Sequence, residues 1–149
     1  MKIWVDADSC PRRVREIVAK AASNWGVTCE FVANRRVPVP REGSVLLTIV
    51  DSAAERADRF ILDSVEHGDL VVTRDIPLAA ELVEREVIVL NDRGTMYTRE
   101  NVRERLSIRN VMLELRGQAA YSDPGRTFGP REIKAFAEAL DKALRQHLQ

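Results

Sequence analysis

"IWVDADSCPRRVREIVAKAASNWGVTCEFV", residues 3–32, is an apolar run, a helical stretch and a second apolar run in direct succession. Between the runs, Val14, Ile17, Val18 and Ala21 recur at helical spacing over residues 11–22. Ser9 is placed to cap that helix, and Pro11 falls in its first turn, where a missing N–H costs nothing. The two runs are continuous rather than alternating, as in strands covered on both faces. The stretch therefore reads as a β-α-β unit, and its first strand ends in charge, at Asp6 and Asp8.

The pattern continues along the chain. Further strand-like runs fall at residues 45–50, 70–73 and 87–90. Residues 53–65 carry Ala57, Phe60, Ile61 and Val65 on one helical face, and residues 77–85 carry Leu78, Leu82 and Val83. Strands alternating with helices imply a mainly parallel sheet, because parallel neighbours need crossovers. The expected fold is a three-layer α/β/α sandwich around five strands. Two more helices are expected, at 99–116 behind Thr98 and at 131–148, separated by a loop rich in Gly, Pro, Ser and Asp at 117–130.

With 149 residues, 45% hydrophobic and 31% charged, the chain suits one globular domain over residues 1–149. No apolar stretch reaches the ~20 residues of a membrane helix, and Met1 leads straight into a strand without signal-peptide architecture, so a cytoplasmic protein with no membrane partner is expected. Cys10 and Cys29 form neither a CxxC pair nor a secreted disulfide framework. Basic and acidic residues balance at 23 each, which excludes a net basic footprint and leaves nucleic-acid affinity to a local patch. All but four of the basic residues are arginine, whose planar fork suits phosphate, although base composition produces the same bias.

Ligands of an open parallel sheet bind outside the carboxyl ends of its strands. Asp6 and Asp8 follow the first strand, Asp51 the third, Asp75 the fourth and Asp92 the fifth, while Asp58 lies early in the second helix. Grouped carboxylates repel unless a cation neutralises them, and oxygen clusters are what Mg²⁺ and Mn²⁺ prefer. Taken singly, Asp8, Asp51 and Asp92 also suit helix starts or turns. Asp6 and Asp75 both follow apolar strands at the end where the sheet should open, and they form the stronger pair.

In order, "IWVDADSCP", "FVANRRVPVP", "ADRFI", "GDLVVTRDIPLAAELV", "LNDRGTMYT", "ENVRERL" and "GPREIKAFAEALDKAL" resemble the YaiI/YqxD family of uncharacterised bacterial proteins along nearly the whole chain. That family is grouped with PIN-like domains, so the resemblance implies a PIN-like fold and the acidic metal site of a ribonuclease. By that resemblance Asp6 and Asp75 match the first- and fourth-strand acids, Asp58 the helix acid, and Thr73 the hydroxyl before the last acid. Asp8 belongs to the family's own motif. Where family members often carry Asn-Pro-Arg-Gly, this chain has Asn91, Asp92, Arg93 and Gly94, a departure that sets Asp92 aside as an essential ligand.

The expected function is a metal-dependent phosphodiesterase acting on RNA or another phosphate-containing substrate. Asp6, Asp75 and Asp8 would hold Mg²⁺ or Mn²⁺, and Asp58 would join them in catalysis. Asn34, Thr73, Arg93 and Tyr97 would line the substrate mouth, and oligomerisation is compatible with the sequence. Two alternatives stand beside this reading. Asp6 and Asp8 have the spacing of a haloacid-dehalogenase-like phosphatase, with Asp6 as nucleophile and Asp8 as acid. A non-catalytic module could instead bind RNA or a nucleotide through the carboxylates and Arg35, Arg36, Arg41, Arg93 and Arg126, with Tyr97 and Tyr121 as stacking candidates. His67 and His147 read as solvent-facing, and Cys10 as a packing residue.

Overall fold

A computed structural model describes residues 1–51, 56–116 and 128–149. Tyr121, Arg126, most of the 117–130 loop and the start of the helix expected from residue 53 lie outside the described residues. In chain order the elements are β1 (Lys2–Asp6), α1 (Arg12–Trp25), β2 (Thr28–Ala33), β3 (Val45–Ile49), α2 (Arg56–Ser64), β4 (Leu70–Val72), α3 (Ile76–Glu84), β5 (Ile88–Leu90), α4 (Arg99–Arg116) and α5 (Pro130–Leu148). The strands lie in the order β3-β2-β1-β4-β5, and every pairing is parallel.

Alternation within β1 divides the core between the two faces of the sheet. Ile3 and Val5 face α1 and α5, where Val14, Val18, Phe136, Leu140 and Leu144 close one cluster. Trp4 faces α2 and α3, where Ile61, Leu62, Leu78 and Leu82 close the other. The three layers follow from this division. Each fully buried Ile, Leu or Phe contributes roughly 1.5–3 kcal/mol. Among the described residues no helix is long and apolar enough to cross a membrane.

The β2 to β3 crossover, residues 34–44, contains no helix among its described residues. Val37 and Val39 pack on the α1 side of the core instead. Buried Arg15 fastens the segment, donating from Nε to Pro38 O at 3.1 Å and from a terminal nitrogen to Cys10 O at 2.7 Å.

The helix ends follow local chemistry. Helix α1 runs a turn past the expected residue 22 and stops where Gly26 takes a left-handed φ of 68°. Thr98 Oγ1 accepts from Asn101 N at 3.1 Å while Asn101 Oδ1 accepts from Thr98 N at 2.8 Å, a reciprocal cap for α4. Ser9 does not cap α1, and Pro11 occupies the N-cap position rather than the first turn. A short 3₁₀ turn, Ala7–Ser9, intervenes, and it directs the Ser9 hydroxyl back to Asp6.

Candidate functional site

From β1 the sheet grows through β2 to β3 on one side, and from β4 to β5 on the other. The gap between β1 and β4 at their carboxyl ends is therefore the topological switch point, where open α/β sheets bind ligands. Asp6 is the last residue of β1 and only 5% exposed. Its Oδ2 accepts from Ser9 Oγ at 3.1 Å and from Thr73 Oγ1 at 2.9 Å. Thr73 Oγ1 in turn accepts from Asp75 N at 3.0 Å. Asp75 is the N-cap of α3, and its Oδ1 accepts from Leu78 N at 2.9 Å.

These groups open onto a cleft of about 570 Å³. Asp6, Asp8, Asp58 and Asp75 line it, with Asn34, Arg74 and Arg109 on its walls. Asp8 is exposed, and its Oδ2 accepts from Asn34 N at 2.6 Å, which ties the 3₁₀ turn to the end of β2. Asn34 Oδ1 is buried with no hydrogen-bond partner among the described residues.

Burial pushes the Asp6 carboxyl up to about 6, against the opposing hydrogen bonds from Thr73 and Ser9, and the negative charges of Asp75 and Asp8 raise it further. The cleft thus contains a carboxyl whose charged form is penalised in the absence of a cation. Among the described residues no three His, Cys, Asp or Glu side chains stand close enough to hold a metal ion between them. An ion here would rest on one or two carboxylates plus water or substrate oxygens, which is the habit of Mg²⁺.

Several residues expected at the mouth lie elsewhere. Tyr97 is buried in the α2/α3-side core beneath Arg105, whose guanidinium stands 5.5 Å from the ring centroid, so it offers no face for stacking. Arg93 turns to Glu132, at 3.6 Å, and to the Phe128 ring, at 5.7 Å, and it does not line the cleft. Asp92 is buried outside the cleft, with Oδ2 3.5 Å from Arg74 Nε, and burial raises its pKa while Arg74 and Arg93 lower it. Thr73 acts through Asp6 and Asp75 and is itself buried. Arg35, Arg36 and Arg41 lie along the β2 to β3 crossover; Arg36 and Arg41 border a separate hollow there.

Three members of the site were not among the expected residues. Ser9 stands three residues after Asp6, a spacing that signals a turn, and Arg74 adjoins Asp75 in sequence. Arg109 carries no such signal, because only the packing of α4 brings it to the cleft. Cys10 and Cys29 are buried; burial raises both thiols, that of Cys29 to about 12, which disfavours the thiolate that a nucleophile needs.

Fold and cleft define an all-parallel, doubly wound α/β protein with an acidic cleft at its switch point. Residues 4–146 match the profile described as "Uncharacterized BCR, YaiI/YqxD family", and the chain belongs to that family. It is 47% identical over 142 residues to a "UPF0178 protein" of Treponema pallidum, covering 95% of this chain and 80% of the relative. A "UPF0178 protein" of Treponema denticola is 44% identical over 149 residues, covering 100% and 95% of the two chains. One of Vibrio cholerae is 41% identical over 144 residues, covering 97% of each. No solved structure matches the chain.

Proposed function

We propose that the protein is a metal-dependent phosphodiesterase of PIN-like type that acts on RNA. The observation that carries the reading is the convergence of Asp6, Asp8, Asp58 and Asp75 on one cleft at the switch point, with Asp6 buried at its floor. Asp6 and Asp75 are the residues to hold Mg²⁺ or Mn²⁺, with water or substrate oxygens completing the set and Asp8 at the rim to orient that water. Such an ion, when bound, supplies hydroxide at neutral pH and stabilises charge developing on a phosphate.

The chain's own residues do the rest. Thr73 and Ser9 fix the Asp6 carboxylate in one orientation. Asp58 stands on the α2 wall, placed to orient water. Arg74 and Arg109 supply the positive charge that a phosphodiester needs among four carboxylates, the part first expected of Arg93. Asn34 holds Asp8 through its backbone and keeps its amide at the same wall.

The test is thermal unfolding with and without Mn²⁺ for wild type, Asp6→Asn and Asp75→Asn, followed by turnover of single-stranded RNA. An ion at a hundredfold its Kd stabilises by about 2.7 kcal/mol, a shift of several degrees in a domain of this size. Wild type should show that shift and ion-dependent turnover, and both variants should lose them. RNA turnover that survives Asp6→Asn overturns the assignment.

A further inference from the structure

Helix α4 brings Arg109 to the acidic cleft and then runs on past it to Arg116. At about 100° per residue, Arg105, Arg109 and Arg116 fall within about 40° of one another around its axis. Glu100, Glu104 and Glu114 fall on the opposite side of the helix, and Arg99 and Arg103 are turned to Glu84 of α3, at 3.7 and 3.6 Å. The charges of α4 are thus sorted. One edge carries arginine alone, and that edge is continuous with the cleft. Arg105 and Arg116 are exposed. Arg105 is also propped over the buried Tyr97 ring, which restrains it at the surface.

The geometry points to this edge of α4 as a tract for the backbone of a single-stranded nucleic acid whose scissile phosphate lies in the cleft. This deepens the reading of the site as a phosphodiesterase and rests on it. Arg105 and Arg116 are about 16 Å apart along the helix, more than one nucleotide spans, so the tract fits a polymer better than a mononucleotide. It also explains how a chain with balanced charge would hold a polyanion, by segregating arginine locally on one helix edge. Contacts of this kind go to phosphates and carry no sequence preference.

The experiment is fluorescence anisotropy of an end-labelled oligouridylate of about a dozen nucleotides in Mg²⁺, between about 50 and 200 mM salt, with cleavage followed in the same samples. The proteins are wild type, Arg116→Gln and Arg105→Gln/Arg116→Gln. Arg116 is tested alone because it stands clear of Tyr97, so its result does not depend on core packing. Wild-type binding should weaken about tenfold in the double variant and by a smaller factor in Arg116→Gln. The slope of log Kd against log salt should fall by about 1.4 in the double variant, as for two lost phosphate contacts on a single strand. Unchanged affinity and slope in both variants overturn the tract, as does a wild type that does not bind the strand. Binding that depends on these arginines without any cleavage supports the tract and overturns the hydrolase reading instead.

Discussion

Thr73 donates its hydroxyl proton to Asp6 Oδ2 at 2.9 Å, and Thr73 Oγ1 accepts from Asp75 N at 3.0 Å. One buried hydroxyl therefore sets the position of the last residue of β1 against the first cap of α3. Thr73→Val keeps the shape and removes both bonds, leaving a carboxylate oxygen and an N–H without that partner. A loss of about 1–3 kcal/mol in urea unfolding is expected, together with loss of RNA turnover. Thr73→Ser should recover most of both, and equal stability of Thr73→Val and wild type would refute the role.

The Asp6 carboxyl, raised by burial to about 6 from an ordinary 3.8, is a cost to the metal-free fold at neutral pH. The folded state holds this proton between about pH 4 and 6, where the unfolded state has released it. Stability from this group is therefore greatest below pH 4 and falls as pH rises through 6. With chelator present, Asp6→Asn should be more stable than wild type at pH 7, by up to about 3 kcal/mol. The difference should shrink toward pH 4, because asparagine does not titrate. A gap that stays constant across that range would exclude Asp6 as the titrating group.

Asp92 and Asp75 both follow strands and differ in what they face. Asp75 lines the cleft, whereas Asp92 lies outside it behind Arg74. Burial penalises the Asp92 charge, and its partner Arg74 is itself half-exposed and returns readily to water. Asp92→Asn should match or exceed wild-type stability at pH 7 and retain turnover, while Asp75→Asn should lose turnover. Loss of the Mn²⁺ shift in Asp92→Asn would place Asp92 among the ligands after all.

These contrasts mark what a one-dimensional reading captures. Continuous apolar runs identified all five strands to within a residue or so, because a strand covered on both faces has no polar alternation, and edge strand β3 is apolar too although its Leu46 and Ile49 are half-exposed. Asp6, Asp8, Asp58 and Asp75 were legible as site candidates because strand order puts their elements at one end of the sheet. Burial was not legible. Tyr97 looks like a surface stacker in "GTMYT", yet its backbone N donates to Val89 O at 2.9 Å, which draws the ring under α4. Asp69 was missed for the same reason. It immediately precedes β4 at the far end of the sheet, where its carboxylate accepts from Lys2 N and Trp4 Nε1, both distant in sequence, as well as from nearby Glu66 N.

Cys10 and Cys29 are both buried, with thiols raised by desolvation. Iodoacetamide should label neither at a measurable rate at pH 7.5 in the native protein, and both promptly in urea. Rapid native labelling of Cys10, followed by mass spectrometry, would show that the 3₁₀ turn opens and would reinstate it as a reactive group.

Gly94 follows the turn after β5, with φ of +88°. Its turn is tightly specified. Asn91 Oδ1 accepts from Arg93 N at 3.0 Å and from Thr95 N at 2.8 Å, and Gly94 N donates to Asn91 O at 3.2 Å. A side chain at Gly94 would meet α5, where a Cβ would lie 2.6 Å from Ala135 O and 2.8 Å from Ala135 C. Both atoms are helix backbone and have no rotamer by which to yield. Gly94→Ala thus combines an unfavourable φ with a steric overlap, and a loss of roughly 3 kcal/mol or more is expected in urea or thermal unfolding. The nature of the clash gives a sharper check. Ala135→Gly removes only a side chain, so it should not rescue Gly94→Ala, whereas rescue would mean that side-chain packing, not approach to the α5 backbone, requires glycine here.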